Sequence, residues 1–521
     1  MLIGDLIRRR AQLSPEQEFW RDDELSINYG QVNRDANRIA RALLAEPLRP
    51  GDHLAIVAGN CYEYTAASFG AAKAGMVLAH LNARSTAAEL ERLGDHSDAL
   101  LVFVGAGQAE AAAVARAKLG RVRRWVSLAG ADGPGWATPI AEWIAPHGEA
   151  EPELSAYALR PGAPAVFPEA PFQLLYTSGT TGLPKGVLIS HRAKLRHGMT
   201  HVINLGLRAG DCVWSALPLC HQFAQWLVMV CLPLAGAAVA SAPAFDAGAC
   251  WKALRDGGIT HLPAVPTMLY RLLDDPGAAG APPGQLRCIV YGGAPMAADK
   301  IRELRLAFPG AALFQGFGQT EVGYCLGLSD QDHQRRPDSL GKADLFSELR
   351  LVDDDGVEVA DGEVGELVAA TPYLMNGYYK GPAETEAFFS VGPEWGRTGD
   401  LAVRDRDGFF VLAGRKQDLI ISGGVNIYPQ EVEQTLATHP AVVEAAVFGV
   451  PNRDWGESVH AAIVLVEGKN AGEAELKAHC EQTLAGYKIP RQFSFHGELP
   501  HTHNGKVRKV ALRAPFWENE A

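Results

Sequence analysis

The sequence lacks a long apolar run. Its longest candidate, residues 226–240, is interrupted by Pro233 and Gly236, whereas a helix that crosses a bilayer needs about 20 consecutive apolar residues. The N-terminal segment also lacks the apolar core and the small-residue cleavage site of a secretory signal. We therefore expect no integral membrane segment and a cytoplasmic protein.

Cysteine pairs and an excess of basic residues are missing as well. The eight cysteines are scattered, without a Cys-x-x-Cys pair or metal-ligand spacing, so we expect them to be reduced packing residues. The formal net charge is −12. This charge argues against nucleic acid as a partner, because affinity for a phosphate backbone comes chiefly from lysine and arginine.

The pattern of apolar residues changes along the chain. Helical and strand patterns alternate up to about Gln315, which predicts mostly parallel sheets with helices on both faces. Between about residues 340 and 412, short runs separated by Asp and Gly turns predict a small antiparallel β-barrel or sheet. The segment after Arg415 has strand and helix patterns of its own, which predict a separate C-terminal domain.

The most informative segment is the loop Tyr176-Thr-Ser-Gly-Thr-Thr-Gly-Leu-Pro-Lys-Gly186, which lies between two apolar strands. Its glycines let the backbone approach an anion, its N–H and hydroxyl groups donate hydrogen bonds, and Lys185 adds positive charge. The loop therefore predicts a phosphate site. It differs from the P-loop of GTPases, because Pro184 replaces the second glycine of that motif and Gly186 replaces its magnesium-binding hydroxyl.

Four further segments carry polar groups in glycine-containing turns. They are Phe314-Gln-Gly-Phe-Gly-Gln-Thr-Glu321, Arg397-Thr-Gly-Asp-Leu401, Gly414-Arg-Lys-Gln-Asp418 followed by Ile420-Ile-Ser-Gly-Gly424, and Pro500-His-Thr-His-Asn-Gly-Lys506. Taken singly, such an aspartate is usually a capping residue and such a lysine is usually solvated. Together with the phosphate loop, and in this order, the segments resemble the adenylate-forming superfamily of acyl-CoA synthetases, carrier-protein adenylation domains and beetle luciferases.

The resemblance covers almost the whole chain and implies an α/β fold. It implies a large N-terminal domain with two doubly wound α/β subdomains and a small β-barrel, plus a small mobile α+β C-terminal domain. The implied boundaries are 1–414 for the first domain, with its β-rich subdomain at about 340–412, and 415–521 for the second. The hinge would lie near Gln417, where relatives commonly carry Asp or Lys.

The resemblance also implies a reaction in two steps. A carboxylate attacks the α-phosphorus of ATP, releases pyrophosphate and becomes an acyl-adenylate, and the thiol of coenzyme A then displaces AMP. The first step adds negative charge around phosphorus, which cations and fixed donors must stabilise. The implied cofactors are ATP, Mg²⁺ and coenzyme A, and the implied substrate is a small-molecule carboxylic acid.

Site residues follow from the resemblance, position by position. Lys506 would bridge the carboxylate and the α-phosphate, Glu321 would bind Mg²⁺, Thr320 would contact the α-phosphate, and His221 would gate the passage between the ATP and acyl sites. The residues implied to bind nucleotide or thiol are, for the phosphates, Thr177, Ser178, Gly179, Thr180, Thr181, Gly182 and Lys185; for adenine, Gly293, Ala294, Pro295, Gly316, Phe317 and Gly318; for ribose, Asp400 and Arg415; and for the thiol tunnel, Gly423 and Gly424.

The acid itself is less well defined. Gln222, Gln225, Trp226 and Met229 follow His221 at helical spacing and would share one face of a helix. If that face lines the acyl site, it favours a compact aryl or oxygenated acid over a long fatty chain. The alternative is that Trp226 and Met229 belong to the core and that His221 is merely packed.

Three functions are compatible with these motifs. The first is an ATP-dependent carboxylic acid:CoA ligase. The second is an adenylation enzyme that loads a carrier protein, expected in trans because no Asp-Ser-Leu/Ile carrier motif follows in the sequence. The third is a non-catalytic nucleotide-binding homologue, against which the retention of Lys506 and Glu321 argues.

Overall fold

The structure is a computed structural model that describes residues 1–130, 133–152, 167–177, 184–280, 282–294, 296–501 and 507–517. The chain divides into two compact units. The first comprises Met1–Glu348 and Ala369–Gly396, and the second comprises Leu349–Val368 and Arg397–Ala521. The boundary after residue 414 and the hinge near Gln417 stay predictions.

The N-terminal part of the first unit alternates helices and strands. Its elements are α1 (Ile3–Leu13), β1 (Glu18–Arg21), β2 (Ser26–Asn28), α2 (Tyr29–Ala45), β3 (His53–Val57), α3 (Tyr62–Lys73), β4 (Val77–Leu81), α4 (Ala87–His96), β5 (Leu101–Val104), α5 (Ala109–Arg116), β6 (Arg124–Ser127), β7 (Thr138–Pro139) and α6 (Ile140–Ile144).

The alternation continues through the middle of the chain. The next elements are β8 (Pro171–Thr177), β9 (Lys185–Ser190), α7 (His191–Leu205), β10 (Cys212–Ser215), α8 (Gln222–Trp226), a π-helical segment (Leu227–Cys231), α9 (Leu232–Ala235), β11 (Ala238–Ser241), α10 (Ala247–Asp256), β12 (His261–Ala264), α11 (Pro266–Asp274), β13 (Cys288–Gly292), α12 (Ala298–Ala307), β14 (Ala312–Gln319), β15 (Gly323–Leu328), α13 (Asp330–Arg335) and β16 (Lys342–Ala343).

The remaining elements belong mainly to the second unit, except for β19 and α14, which belong to the first. They are β17 (Glu348–Val352), β18 (Val364–Ala370), β19 (Gly377–Tyr378), α14 (Pro382–Phe388), β20 (Gly396–Arg404), β21 (Phe410–Arg415), β22 (Ile420–Ser422), β23 (Val425–Ile427), α15 (Pro429–Ala437), β24 (Val442–Asn452), β25 (Gly456–Leu465), α16 (Glu473–Glu481), β26 (Gln492–His496) and α17 (Lys509–Trp517).

Two sheets with parallel centres form the first unit. Within the described ranges, one has the order β19-β9-β8-β4-β3-β5-β6-β7 and the other β16-β15-β14-β13-β12-β10-β11-β1-β2. Antiparallel strands occur only toward their edges in the described pairings, for example β8 with β9 and β14 with β15. Helices alternate with the parallel strands of both sheets, as in folds whose helices cover both faces of a sheet. The predicted doubly wound α/β architecture is therefore confirmed.

One continuous core joins the two sheets of the first unit. The buried faces of α2 and α3 contribute Ile39 and Phe69, and strands of both sheets contribute Phe103 and Ile289. Gly70 of α3 lies so close to Ile39 that an added Cβ would come within 2.4 Å of its Cγ2 atom. The site elements at the carboxyl ends of the strands therefore rest on a tightly packed base.

The second unit contains two sheets. In the described ranges, β17, β18, β20 and β21 form a four-stranded sheet in the segment that was predicted to be β-rich, and β22 to β26 form a five-stranded sheet whose main hairpin is β24 with β25. Helices α15 and α16 pack on the latter through Val432, Leu436 and Leu476. This α+β arrangement agrees with the fold class predicted for the C-terminal domain.

Candidate active site

The hairpin β8–β9 carries the predicted phosphate loop. Thr177 ends β8 and lies directly opposite Lys185, the first residue of β9. The loop residues Ser178, Gly179, Thr180, Thr181 and Gly182 lie outside the described residues, as do Pro295 and Lys506. The structure therefore fixes the two ends of the loop, one with a hydroxyl and the other with an amine.

A tight turn between β14 and β15 brings Glu321 to the same hairpin. The Thr177 hydroxyl donates to Glu321 Oε1 over 3.3 Å, although 144 positions separate the two residues in the sequence. The backbone of the turn is fixed by the Met375 N–H, which donates to the Glu321 carbonyl over 2.9 Å. The phosphate loop and the Glu321 segment, which the sequence linked only through a family resemblance, therefore lie in contact. Thr320 directly precedes Glu321 in the turn.

Tyr378 completes this arrangement and was not predicted from the sequence. Its hydroxyl donates to Glu321 Oε1 over 3.1 Å, and the Lys185 amine lies 4.9 Å from the centroid of its ring. Burial and the nearby Glu321 carboxylate raise the pKa of Tyr378, so that it remains a donor. The only sequence signal was the pair Tyr378-Tyr379 after Gly377, which carries no recognised phosphate-binding pattern.

Glycines open a slot where β13 and β14 end. Gly292 pairs with Gly316 in parallel register, and an added Cβ on Gly292 would come within 2.4 Å of the Gly316 carbonyl oxygen. Gly293 follows with a φ of +86°, a conformation that favours glycine. Side chains are thus excluded at the carboxyl ends of adjacent parallel strands, where open α/β sheets bind ligands.

The other residues predicted for this slot lie in the same two segments. Ala294 follows Gly293, while Phe317 and Gly318 continue β14 beyond Gly316. An added Cβ on Gly318 would come within 2.0 Å of the Gly323 carbonyl oxygen across the hairpin. Gly318 is therefore required by the close approach of β14 and β15.

In the second unit, the predicted ribose ligands form an ion pair. Asp400 and Arg415 are register partners in β20 and β21, and the Arg415 Nε atom lies 2.6 Å from Asp400 Oδ1. Gly423 and Gly424 connect β22 to β23 with φ values of +59° and +79°. A two-residue hairpin turn with both φ values positive explains these glycines without any ligand, and their predicted role with the thiol stays a prediction.

Comparison with known proteins identifies the family. Residues 7–379 match the AMP-binding enzyme family, and residues 431–506 match the AMP-binding enzyme C-terminal domain. The chain belongs to the AMP-binding enzyme family. The adenylate-forming family that the motifs predicted is therefore confirmed, and the protein is an AMP-forming ligase by relationship.

Similar proteins of this family differ in their acids and acceptors. A feruloyl-CoA synthase of Amycolatopsis is 34% identical over 518 residues, which cover 99% of each chain. A fatty acid–[acyl-carrier-protein] ligase of Streptomyces coeruleorubidus is 32% identical over 504 residues, which cover 95% of this chain and 93% of that one. The solved structure of ATP-bound MatB from Rhodopseudomonas palustris has a TM-score of 0.88 and 28% identity, with 100% of both chains covered.

The residues around Glu321 suit the Mg²⁺ that enzymes of the AMP-binding family generally use. Glu321 is 9% exposed, and both of its described hydrogen bonds fall on Oε1, so no described residue donates to Oε2. Mg²⁺ is usually held by one or two carboxylates together with phosphate oxygens and waters. The described residues include no group of three or more His, Cys, Asp or Glu that could enclose a metal without such ligands.

His221 and the residues after it form a different structure from the single helix predicted. His221 precedes α8, which ends at Trp226, and a π-helical segment follows from Leu227 to Cys231. The spacing that would have aligned Met229 with Gln222 is therefore lost, because a π-turn contains more residues than an α-turn. Gln225 is buried and uses its amide in hydrogen bonds to Gln173 and to the Leu219 carbonyl.

Helix α7 contributes basic side chains that were not predicted as site residues. Lys194, His197 and His201 are all buried, and their spacing of three and four residues puts them on one face of the helix. The Lys194 amine donates to Gln222 Oε1 over 2.7 Å. The signal available in the sequence was this spacing immediately after the phosphate loop, which by itself is also typical of a core helix.

No helix within the described ranges has the length and apolar character that crossing a bilayer requires. The eight cysteines are free thiols, of which seven are buried.

Proposed function

We propose that this ligase activates a carboxylic acid with ATP and transfers the acyl group to the thiol of coenzyme A. The observation that carries the proposal is the meeting of Thr177, Glu321 and Tyr378, with Lys185 against the tyrosine ring. A phosphate-binding loop and a carboxylate that can hold Mg²⁺ are two components that ATP activation requires. Both lie in the first unit.

In the first step, an oxygen of the carboxylate forms a bond to the α-phosphorus. The bond from that phosphorus to the bridging oxygen breaks, and pyrophosphate leaves with the electron pair. Lys185 and the loop from Thr177 hold the β- and γ-phosphates, Thr320 contacts the α-phosphate, and Lys506 bridges it to the incoming carboxylate. Glu321 would hold Mg²⁺, which would supply positive charge to stabilise the transferring phosphate.

In the second step, the thiol sulfur attacks the acyl carbon, AMP leaves as the carbon–oxygen bond breaks, and solvent takes the thiol proton. We assign adenine to the slot at Gly293, Ala294 and Pro295 with Gly316, Phe317 and Gly318. We assign ribose to Asp400 and Arg415, the passage between the two sites to His221, and the thiol arm to Gly423 and Gly424.

Acid-dependent exchange of pyrophosphate into ATP tests the first step. We expect the wild type to catalyse this exchange with at least one acid of a panel, and Glu321→Gln to reduce it about 100-fold, since it removes charge where the transition state needs it. Glu386 is an exposed residue of α14, and Glu386→Gln is the matched control that should retain activity. Equal rates in Glu321→Gln and the wild type would remove the carboxylate from the mechanism.

The acceptor is tested separately. Mass spectrometry of products formed with coenzyme A, or with a purified acyl-carrier protein in its phosphopantetheine form, distinguishes two ligase classes. We expect the CoA thioester, as the name of the feruloyl-CoA synthase indicates for that relative. The carrier protein is the second candidate, because another relative is named for it. Exchange activity without either thioester would leave adenylate formation as the whole function.

A further inference from the structure

We propose that the acid is short and carries a second anionic oxygen group, a carboxylate or a sulfonate, which is bound by Lys194 and His197 on the buried face of α7. This inference rests on the proposed function, because it specifies the acid that is activated. It starts from buried polar groups whose hydrogen-bonding capacity the protein does not fill.

Lys194 is a buried lysine without a described acidic partner. Its side chain is 0% exposed, its hydrogen bond goes to the neutral Gln222 amide, and none of the described acidic residues forms an ion pair with it. An isolated buried ammonium is expensive, and burial lowers the pKa of Lys194 well below its usual value. An anion bound beside it would supply the missing charge and restore the protonated form.

His197 provides a donor on the same helix face. The backbone N–H of Tyr324 donates to His197 Nε2 over 3.2 Å, so Nε2 must be the unprotonated nitrogen. Burial lowers the pKa of His197 well below its usual value, and the neutral ring therefore carries its proton on Nδ1. Nδ1 is buried and finds no acceptor among the described residues, which is unusual for a native buried donor.

The two groups act together because of their spacing. Residues three positions apart on a helix have neighbouring side chains, and Lys194 is among the charges that disfavour protonation of His197. An ammonium and an N–H donor side by side match the two oxygens of a carboxylate or two of the three oxygens of a sulfonate. A neutral hydroxyl could accept from one of them but would leave the charge of Lys194 uncompensated.

Both groups are tied to segments that the proposed reaction uses. Gln222, which accepts the Lys194 hydrogen bond, directly follows His221. Tyr324, which donates to His197, is three residues after Glu321 at the start of β15. We therefore assign the far end of a short acid to this face of α7 and its reacting carboxylate to the segments of His221 and Glu321.

Aromatic packing limits the length of the acid. The Trp226 ring lies 3.8 Å from the His201 ring and 5.2 Å from the Phe223 ring between centroids, and His201 also contacts Tyr324 at 4.8 Å. Gly198 lets α7 approach the π-helical segment, where an added Cβ would come within 2.3 Å of Val230 Cγ1. Because these contacts fill the face of α7 at His201, we expect a short acid rather than a long acyl chain. The nearby π-turn is of a kind that is frequent at functional sites.

The test compares acids of equal length. Pyrophosphate exchange is measured with butanoate, butanedioate and 3-sulfopropanoate, using the wild type and Lys194→Met, which keeps an unbranched side chain one atom shorter but removes the amine. We expect the wild type to prefer the two dianions at least tenfold, and Lys194→Met to lower kcat/KM for them about 100-fold while changing butanoate less than threefold. A loss for either dianion supports the inference and shows whether carboxylate or sulfonate is bound.

Lys73→Met is the matched control, because Lys73 is also a buried lysine of the first unit but has Glu151 as a partner at 2.7 Å. It should leave the preference among the acids unchanged. His197→Phe removes the Nδ1 donor without touching the lysine, and should lower kcat/KM for the dianions about tenfold if Lys194→Met fails to fold. An equal loss for butanoate and the dianions in these variants would overturn the inference.

Calorimetry separates this inference from the proposed function. Titration of butanedioate into the wild type and Lys194→Met measures binding without turnover. Lys194-dependent binding without exchange for any acid would refute the proposed ligase activity and support the anion site. Exchange with short or long monocarboxylic acids but not with either dianion would support the ligase activity and overturn the anion site.

Discussion

Two buried glutamates, one in each unit, have opposite kinds of partner. Glu366 in the second unit is 4% exposed and contacts two cations, Arg397 at 2.5 Å and Lys416 at 3.1 Å. Glu321 in the first unit is almost as buried, yet its described partners are two hydroxyls. The two ion pairs of Glu366 indicate a structural role, whereas Glu321 has no described cationic partner and is available for the proposed Mg²⁺.

Two cations of each unit show the same contrast in their partners. In the second unit Arg415 pairs with Asp400, and Lys416 bridges Glu366 and Asp354. In the first unit, among the described residues, Lys194 donates only to the Gln222 amide oxygen, and Lys185 contacts the Tyr378 ring without an ion pair. Charges that the protein leaves uncompensated, at a cost in stability, are the ones available to a ligand.

Acid should affect the first unit most, since it buries several neutral histidines. Burial lowers the pKa of His80, His191 and His201 to about 3 each. The unfolded chain binds protons below about pH 6.5 and the folded state does not, so stability falls as the pH drops from 6.5 toward 3. At pH 5 each histidine should cost about 2 kcal/mol, or about 6 kcal/mol together.

Hydrogen exchange followed by mass spectrometry at pH 7 and pH 5, corrected for intrinsic rates, measures this loss for peptides of each unit. In the second unit burial likewise lowers the pKa of His460, so a smaller loss is expected there. His80→Met should reduce the difference between the two pH values by about 2 kcal/mol. Greater acid sensitivity in the second unit would contradict the comparison.

Removing the shared carboxylate of the second unit should give the next largest effect. Glu366→Gln leaves Arg397 and Lys416 without their buried partner, and we expect a loss of about 2 kcal/mol in urea unfolding. Glu358 is the control, because its side chain is 45% exposed in its pair with Arg404, and Glu358→Gln should change stability by less than about 0.5 kcal/mol. Equal losses of unfolding free energy in the two variants would mean that the buried ion pairs of Glu366 stabilise the protein no more than the exposed pair of Glu358.

Tyr378→Phe tests whether the hydroxyls really position Glu321. The ring stays against Lys185, but one of the two hydrogen bonds to Oε1 is lost, and we expect about a tenfold decrease in pyrophosphate exchange with a higher Mg²⁺ requirement. The neighbouring Tyr379 hydroxyl donates to Asp98 instead, over 2.7 Å. Tyr379→Phe should therefore retain exchange activity at its normal Mg²⁺ concentration, and a similar decrease in both variants would argue for a structural role.

The sequence contains signals for the proposed chemistry of the site, but not for the residues and segments that support it. Glycines and hydroxyls around Lys185 and the Thr320-Glu321 turn have local patterns that point to phosphate and metal, and alternating apolar runs predicted the doubly wound sheets. Tyr378 could not be found, since its contact with Glu321 spans 57 positions and depends on how β19 pairs with β9. The π-helical segment after Trp226 was missed for a similar reason, because tertiary packing, not periodicity, decides it.

The smallest predicted effect is the change in unfolding free energy caused by Lys194→Met, and its sign is the informative part. Lys194→Met and Lys73→Met make the same change at two buried lysines of the first unit. Lys73 holds Glu151 and the Asn33 amide oxygen, so its loss should destabilise the protein. Lys194 has no described countercharge, so replacing it with an apolar side chain should stabilise the ligand-free protein by about 1 kcal/mol in urea unfolding. Destabilisation by both changes would show that Lys194 is a structural lysine like Lys73. The distinction between lysines with and without a described acidic partner would then not hold at the proposed anion site.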